Sequence, residues 1–238
     1  MITVDFNRIR VRPGDKILDI GCGSGRHACR AYECDRVTVI GVDANYDDVH
    51  EARGRLTYHE AIGAHGGGSW GCAAGNILSL PFPEASFDLV ICSEVMEHIP
   101  EDTHAAKQIM QVLKPGGQLV VSVPRYFPEK ICWKLSTAYY SANGGHVRIY
   151  TMQKIRRLFE HTGAIFQATH FAHSLHTPYW WLKCLVGPTR TNSKPVNLYH
   201  RLLTWDIMKK PKITRFTDAL LNPILGKSLV LYFKKTSE

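Results

Sequence analysis

The chain has 238 residues, of which 45% are hydrophobic and 21% are charged, and these values exclude a disordered or fibrous protein. Its length fits one domain, or one domain with a large insertion. No apolar stretch reaches the roughly 20 residues that a membrane-spanning helix needs, and residues 1–12 lack the apolar core of a secretory signal. The seven cysteines form no Cys-x-x-Cys pair, which argues against a zinc ribbon or a disulfide framework. We therefore expect a cytoplasmic protein with reduced thiols.

The net charge of +8 is concentrated late in the chain. Residues 172–227 contain nine lysines and arginines against Asp206 and Asp218, so this segment carries seven of the eight excess positive charges. A partner that is attracted by the positive field is expected to meet this segment rather than the core.

Strand patterns alternate with helix patterns along the chain. In chain order the patterns predict a strand at 16–20, a helix at 26–33, a strand at 37–42, a helix at 46–58, a third strand beside the glycine-rich stretch 61–75, a strand at 87–92, a helix at 102–113, a strand at 118–123, a helix at 151–161, and strands at 164–171 and 229–234. This alternation favours a three-layer α/β fold, in which helices cover both faces of a mostly parallel sheet.

A glycine-rich turn, Gly21-Cys22-Gly23-Ser24-Gly25, follows the first strand. The dinucleotide-binding pattern G-x-G-x-x-G would need a glycine at position 26, where this chain has Arg26. Asp19 directly before the turn would repel a pyrophosphate, but it suits a ligand with an ammonium group, such as S-adenosylmethionine (SAM). Asp43, at the end of the second strand, can accept hydrogen bonds from both hydroxyls of a ribose.

From this turn onward the chain resembles the class I SAM-dependent methyltransferases. The resemblance covers residues 13–171 and returns at the last strand. It rests on motifs that follow in order, namely Gly75-Asn76-Ile77, Leu80-Pro81-Phe82, Phe87-Asp88, Ser93-Glu94-Val95-Met96-Glu97-His98 and Leu113-Lys114-Pro115-Gly116-Gly117. It implies a Rossmann-like, seven-stranded sheet with the last strand antiparallel, and SAM lying across the carboxyl ends of the first strands.

The resemblance also implies which residues bind SAM. The glycines of the turn would pack on the methionine part, Asp43 would bind the ribose, and Asn76 and Ile77 would face the adenine. Many members have aspartate where this chain has Asn76, whose amide can still accept a hydrogen bond from the adenine amino group. The predicted SAM-binding residues are Asp19, Gly21, Cys22, Gly23, Gly25, Asp43, Ala44, Asn76, Ile77 and Ser93.

Candidates for the chemistry follow the fourth and fifth strands. His98 and His146 are candidate general bases, since imidazole titrates near neutral pH. Glu94, Glu97, His98 and His146 form a candidate site for a divalent cation, which would acidify a substrate hydroxyl. A similar Glu-x-x-Glu-His pattern with a later histidine occurs in the ubiquinone-biosynthesis O-methyltransferases, the closest in motif, and in the small-RNA 2′-O-methyltransferases. The alternative is that the Glu-His pair orients SAM or a loop without a metal.

Two segments are expected near the methyl acceptor. Residues 125–150 are predicted as a substrate-side loop, and residues 172–227 as a basic, aromatic-rich helical insertion that acts as a lid or docking surface. Trp180 and Trp181 beside Lys183 suit a membrane interface or an amphiphilic substrate, but the same mixture also fits single-stranded RNA or a solvated helical layer. Only residues 1–12 precede the start of the fold, and this stretch is too short for helices that could cover the active site. We therefore expect this insertion or a partner subunit to cover it.

The sequence therefore predicts one methyltransferase domain over residues 1–238 with SAM as its cofactor. A divalent cation at the candidate Glu and His site is a second, separate expectation. The predicted reaction is methylation of a hydroxyl on a small, amphiphilic or lipid-like molecule, with peripheral membrane contact through residues 172–227. Two alternatives remain open. An RNA 2′-O-methyltransferase would bind RNA with an affinity that falls steeply with salt, and a non-catalytic SAM-binding protein would transfer nothing.

Overall fold

One sheet of seven strands organises the molecule, and the computed structural model describes residues 1–141 and 145–237. The strands are β1 (Lys16–Ile20), β2 (Thr38–Asp43), β3 (Ser69–Ala74), β4 (Phe87–Ser93), β5 (Leu113–Pro124), β6 (Ala164–Ala172) and β7 (Ser228–Lys235). Their order is β3-β2-β1-β4-β5-β7-β6, and β7 runs antiparallel to both of its neighbours while the other pairs are parallel. The predicted α/β fold with an antiparallel last strand is confirmed.

Helices connect the strands and cover the sheet. They are α1 (Arg26–Tyr32), α2 (Tyr46–Ala61), α3 (Asp102–Val112), α4 (Tyr126–Leu135), α5 (Thr137–Tyr140), α6 (Met152–Glu160), α7 (His176–Val186), α8 (Lys194–Lys209) and α9 (Lys212–Leu225). Side chains cap two of them: Asn45 accepts a hydrogen bond from the Asp47 N–H at 2.9 Å before α2, and Thr151 accepts one from the Lys154 N–H at 3.2 Å before α6. Such caps satisfy backbone donors that a helix leaves unpaired at its start.

Apolar side chains fill both faces of the sheet. Successive residues of a strand point to opposite faces, so Ile17 and Leu89 enter one hydrophobic cluster while Leu18 and Val90 enter the other. Strands that are apolar on both sides are typical of a parallel sheet between helical layers. The carboxyl ends of β1, β2 and β4 consequently meet at one edge, where the polar residues of the predicted sites emerge.

The predicted loop at residues 125–150 is wrong as to its conformation, because α4 and α5 occupy much of it. Pro128 lies in the first turn of α4, where its missing N–H leaves no intrahelical bond unmade, so proline does not prevent the helix. Glu129 and Cys132 are buried on one side of α4. Residues 142–144 of this segment lie outside the described part of the chain.

The helical insertion predicted before the last strand is confirmed. Ala172 at the end of β6 pairs with Ser228 at the start of β7, and α7, α8 and α9 lie between them. The Trp181 indole N–H donates to the carbonyl oxygen of Pro128 at 3.1 Å, which fixes α7 on α4. Among the helices of the described residues, none has the length and hydropathy needed to span a bilayer.

Candidate functional site

The glycine-rich turn after β1 has a backbone that only glycine adopts readily. Gly21, Gly23 and Gly25 have φ values of +65°, +48° and +79°. A Cβ on Gly21 would lie 2.2 Å from Cγ2 of Val95, and a Cβ on Gly25 would lie 2.9 Å from Cβ of Ala52. The turn therefore requires glycine both for its left-handed conformation and for its close packing on neighbouring elements.

Asp43 holds the turn from the end of β2. Its Oδ2 accepts a hydrogen bond from the Gly23 N–H at 2.8 Å, and its Oδ1 accepts one from the Asn45 N–H at 2.9 Å. Ala44 is exposed beside it, and Cys22 within the turn is buried. The structure thus brings the predicted SAM residues of β1 and β2 to one edge of the sheet.

The remaining predicted SAM residues follow β3 and end β4. Asn76 is exposed, and its Oδ1 accepts a hydrogen bond from the Leu78 N–H at 2.9 Å. Ile77 is buried in the hydrophobic core. The Ser93 hydroxyl lies 2.7 Å from the hydroxyl of Ser122 on β5.

Asp19 is a buried carboxylate in β1, only 1% exposed. Within the described part of the chain, neither of its carboxylate oxygens has a hydrogen-bond partner by distance and angle. Burial raises the pKa of Asp19 to about 7; the backbone N–H of Ala28 partly offsets this rise, and the nearby Asp43 carboxylate adds to it. A buried carboxylate without a partner is costly, so this position is suited to a cationic group of a ligand.

A second polar cluster follows β4. Glu97, His98 and His146 each offer a potential ligand atom, and these atoms lie within 4.8 Å of one another. The two imidazole rings meet edge to face, with centroids 4.8 Å apart. The backbone brings them together, because the Val147 N–H donates to the carbonyl oxygen of Glu97 at 2.9 Å.

Glu97 and Glu94 differ within this cluster. Glu97 is 1% exposed, and within the described residues neither of its carboxylate oxygens has a hydrogen-bond partner. Burial and the nearby Glu94 carboxylate raise the pKa of Glu97 well above its usual value. The Oε1 of Glu94 instead accepts a hydrogen bond from the Ser122 hydroxyl at 2.9 Å. Glu97, His98 and His146 form the group with closely spaced ligand atoms, and Glu94 is not part of that group. A role for Glu94 as a fourth ligand stays a prediction.

Glu129 on α4 was not predicted, and it organises the cluster. Its Oε1 accepts hydrogen bonds from His146 Nδ1 at 2.6 Å and Trp133 Nε1 at 3.1 Å. Its Oε2 accepts from the Tyr139 hydroxyl at 3.3 Å and from Lys227 Nζ at 3.4 Å. Burial alone would raise the pKa of Glu129, but the hydrogen bond from His146 and the charge of Lys227 hold it below its usual value. Because a carboxylate only accepts, His146 carries a proton on Nδ1, and in the neutral imidazole Nε2 is then an acceptor.

The insertion reaches this cluster from the other end of the chain. Trp180 on α7 meets the ring of Tyr139 edge to face at 5.8 Å. Lys227 and Lys183 place their ammonium groups 5.4 Å and 5.3 Å from the centroid of the Trp180 ring. Sequence patterns could not place Lys227 beside Glu129, because the two lie 98 positions apart. The predicted lid therefore contacts residues that surround His146.

Comparison with known proteins agrees with this architecture. The family model described as "Methyltransferase domain" matches residues 5–165. The 27-O-demethylrifamycin SV methyltransferase of Amycolatopsis mediterranei is 35% identical over 111 residues, which cover 47% of this chain and 39% of that protein. The sterol 24-C-methyltransferase erg6 of Aspergillus fumigatus is 30% identical over 143 residues, which cover 60% of this chain and 34% of that protein. The chain thus matches about two fifths or less of the length of these relatives.

Solved structures share the fold at low sequence identity. The 4+2 cyclase SpnF superposes with a TM-score of 0.64 at 16% identity, covering 98% of this chain and 78% of that one. A SAM-dependent methyltransferase from Methanosarcina mazei superposes with a TM-score of 0.61 at 18% identity, covering 96% and 95%. By its matched family model and its sheet order, the chain belongs to the class I SAM-dependent methyltransferase domains.

Proposed function

We propose that this domain binds SAM at the carboxyl ends of β1 and β2 and transfers its methyl group to a hydroxyl of a small amphiphilic molecule. The observation that carries the proposal is the Glu129–His146 pair at 2.6 Å, placed beside Glu97 and His98. A hydroxyl is a weak nucleophile until its proton is removed, and an imidazole held by a carboxylate is suited to take that proton.

The reaction assigns a role to each side chain of the pair. The substrate oxygen attacks the methyl carbon of SAM, the carbon–sulfur bond breaks with its electron pair remaining on sulfur, and S-adenosylhomocysteine is left. The proton of the hydroxyl passes to Nε2 of His146. Glu129 holds the Nδ1–H tautomer and stabilises the imidazolium that forms. Tyr139 and Trp180 would help to exclude water from this reaction.

The same cluster fits a divalent cation. Glu97 supplies two buried oxygens that have no hydrogen-bond partner among the described residues, and His146 shows the carboxylate-supported imidazole that is common among metal ligands. With an ion present, Glu97, His98 and His146 would hold it. His146 would then be a ligand and not the base, because Glu129 occupies its Nδ1 and the ion would take Nε2. A bound cation would lower the pKa of a coordinated substrate hydroxyl.

Two observations support an amphiphilic acceptor. Aromatic and cationic side chains, Tyr139, Trp180 and Lys183, lie together on the approach to the cluster. One relative acts, by its name, on a sterol, which is a lipid with a single polar end. Other relatives are named as O-methyltransferases, among them resE of Aspergillus sclerotiorum.

The pH dependence of cofactor binding tests the role of Asp19. Because burial raises its pKa to about 7, Asp19 is ionised above this pH and neutral below it. The ammonium of SAM or S-adenosylhomocysteine favours the ionised form. We expect the affinity measured by calorimetry to be highest just above pH 7, where both the carboxylate and the ammonium are charged. It should fall by up to about tenfold for each pH unit below this.

Two variants control this measurement. Asp19→Asn should bind S-adenosylhomocysteine weakly at every pH, since it has no carboxylate to ionise. Asp35→Asn, a change at an exposed carboxylate, should keep the wild-type profile. A wild-type affinity that does not change across pH 7 would remove the proposed ammonium contact.

Replacement of His146 tests the chemical step. His146→Ala should lower kcat by about 100-fold or more, because general base catalysis contributes on this scale. Its affinity for S-adenosylhomocysteine should stay within about twofold of wild type. His50→Ala, a change at an exposed histidine of α2, should leave both quantities unchanged. Wild-type turnover in His146→Ala would refute the proposed base.

The acceptor and the metal are tested together with labelled SAM. Lipid, quinone, sugar and RNA extracts are incubated with the protein, with and without a chelator. The proposal expects label in the lipid or quinone fraction, and label confined to RNA would contradict it. Loss of transfer with chelator, and loss of bound metal in Glu97→Gln measured by elemental analysis, would support the cation.

A further inference from the structure

An apolar stripe on α9 faces outward. Ile213, Phe216, Leu220 and Ile224 are between 64% and 72% exposed. Their spacing of three and four residues places them on one face of the helix. None of the α9 residues is buried in the structure, so this helix contributes its apolar face to no core.

The preceding helix has a second stripe of the same kind. Leu198, Leu202, Trp205 and Met208 on α8 are between 45% and 74% exposed, again at helical spacing. A groove of about 600 Å³ runs beside this stripe, and Leu198, Leu202 and Trp205 are among its lining residues. Two successive helices, about 24 Å and 21 Å long, thus present large apolar side chains to the outside.

Cations lie beside the stripes, while the acidic residues turn inward. The exposed cations of the two helices and their connection are Lys194, Arg201, Lys209, Lys210, Lys212 and Arg215. In residues 1–141 and 145–237, none of these six forms an ion pair. Asp206 instead accepts a hydrogen bond from the Thr214 hydroxyl, and Asp218 accepts from the Ser174 hydroxyl at 2.7 Å and the Leu175 N–H at 3.1 Å. The outer surface is therefore apolar and positively charged.

We propose that α8 and α9 form a docking surface for an anionic lipid bilayer. Apolar side chains would enter the boundary between headgroups and acyl chains, while the flanking cations meet lipid phosphates. The indole of Trp205 suits this boundary, since one part of the ring system is apolar and its N–H is polar.

Two other occupants fit these features less well. A second copy of the chain related by two-fold symmetry would bring the same unpaired cations against one another. RNA would need aromatic platforms for its bases, but the exposed stripes are mostly aliphatic. A bilayer satisfies both the apolar stripes and the cations.

Vesicle binding tests the surface independently of methyl transfer. The protein is co-sedimented with vesicles of phosphatidylcholine alone or mixed with phosphatidylglycerol, at low and high salt. We expect partitioning onto the mixed vesicles that weakens with salt. Ile213→Ser combined with Phe216→Ser, and Lys212→Glu combined with Arg215→Glu, should each reduce it by about tenfold or more.

Matched changes elsewhere serve as controls. Ile62→Ser and Lys107→Glu alter exposed residues near α2 and on α3, and they should bind vesicles as the wild type does. Vesicles with brominated acyl chains should quench part of the tryptophan fluorescence of the wild type. This quenched part should be missing in Trp205→Phe. Retained binding of S-adenosylhomocysteine shows that each variant is folded.

Three results would overturn the proposal. The first is a wild-type protein that does not bind the mixed vesicles, and the second is unchanged binding in both double variants. The third is a wild-type protein that binds no vesicles but forms a dimer or an RNA complex, which the combined Ile213→Ser and Phe216→Ser variant disrupts. Sedimentation equilibrium and a filter-binding measurement detect the dimer and the RNA complex.

Discussion

Gly21→Ala is expected to abolish useful cofactor affinity. The new methyl group would lie 2.2 Å from Cγ2 of Val95, and the valine side chain is too short and too stiff to move away alone. The turn or the segment after β4 must therefore shift, which moves the backbone that is expected to contact the methionine part of the cofactor. Calorimetry with S-adenosylhomocysteine measures the loss of affinity.

Gly14→Ala separates the clash from backbone strain. Gly14 also has a left-handed φ, of +89°, but a Cβ there meets no atom within 4 Å. Both variants should lose about 1–2 kcal/mol of unfolding free energy from the left-handed conformation. Only Gly21→Ala should lose cofactor affinity as well, and equal affinities in the two variants would contradict the assigned role of the turn.

Glu129→Ala is expected to damage both stability and turnover. Its removal leaves His146, Trp133, Tyr139 and Lys227 without their shared acceptor in a buried place. Removing one partner from a buried charged network costs about 3–5 kcal/mol of unfolding free energy. Turnover should fall at least about tenfold, as is common when the group that orients a catalytic imidazole is lost.

Two comparisons make this result specific to Glu129. Glu51→Ala breaks an exposed ion pair with Arg55 and should change the unfolding free energy by less than about 1 kcal/mol. Glu129→Gln keeps an oxygen that can accept from His146, so it should recover part of the stability and part of the turnover. Equal urea midpoints for Glu129→Ala and Glu51→Ala would show that the network contributes little.

Local sequence signals were sufficient for the sheet and for the turn after β1. Strand residues that are apolar on both sides, and glycines at positions with positive φ, each have a physical cause that acts within a few residues. The Glu97-His98 pair likewise lies within one short turn after the end of β4, so its place beyond that strand also follows from local sequence.

Glu129 shows where local reasoning stops. It lies in a segment that was predicted as a loop, and its partners His146 and Lys227 are 17 and 98 positions away. Its importance arises only when α4, the His146 segment and the end of the insertion pack together. Similarly, Glu94 accepts its hydrogen bond from Ser122 of the neighbouring strand, and no pattern around Glu94 reveals this contact.

The pairing of Ala172 with Ser228 has a consequence for how this protein can vary. Residues 173–227 leave the sheet and return to it on a single rung of the β6–β7 ladder. Antiparallel strands need no more than a two-residue hairpin to be joined, so the strand register places no demand on the length of this excursion. Exchange of this excursion for another would therefore leave the strand register and the turn after β1 unchanged, but it would remove Lys227 and Trp180 from beside Glu129 and Tyr139.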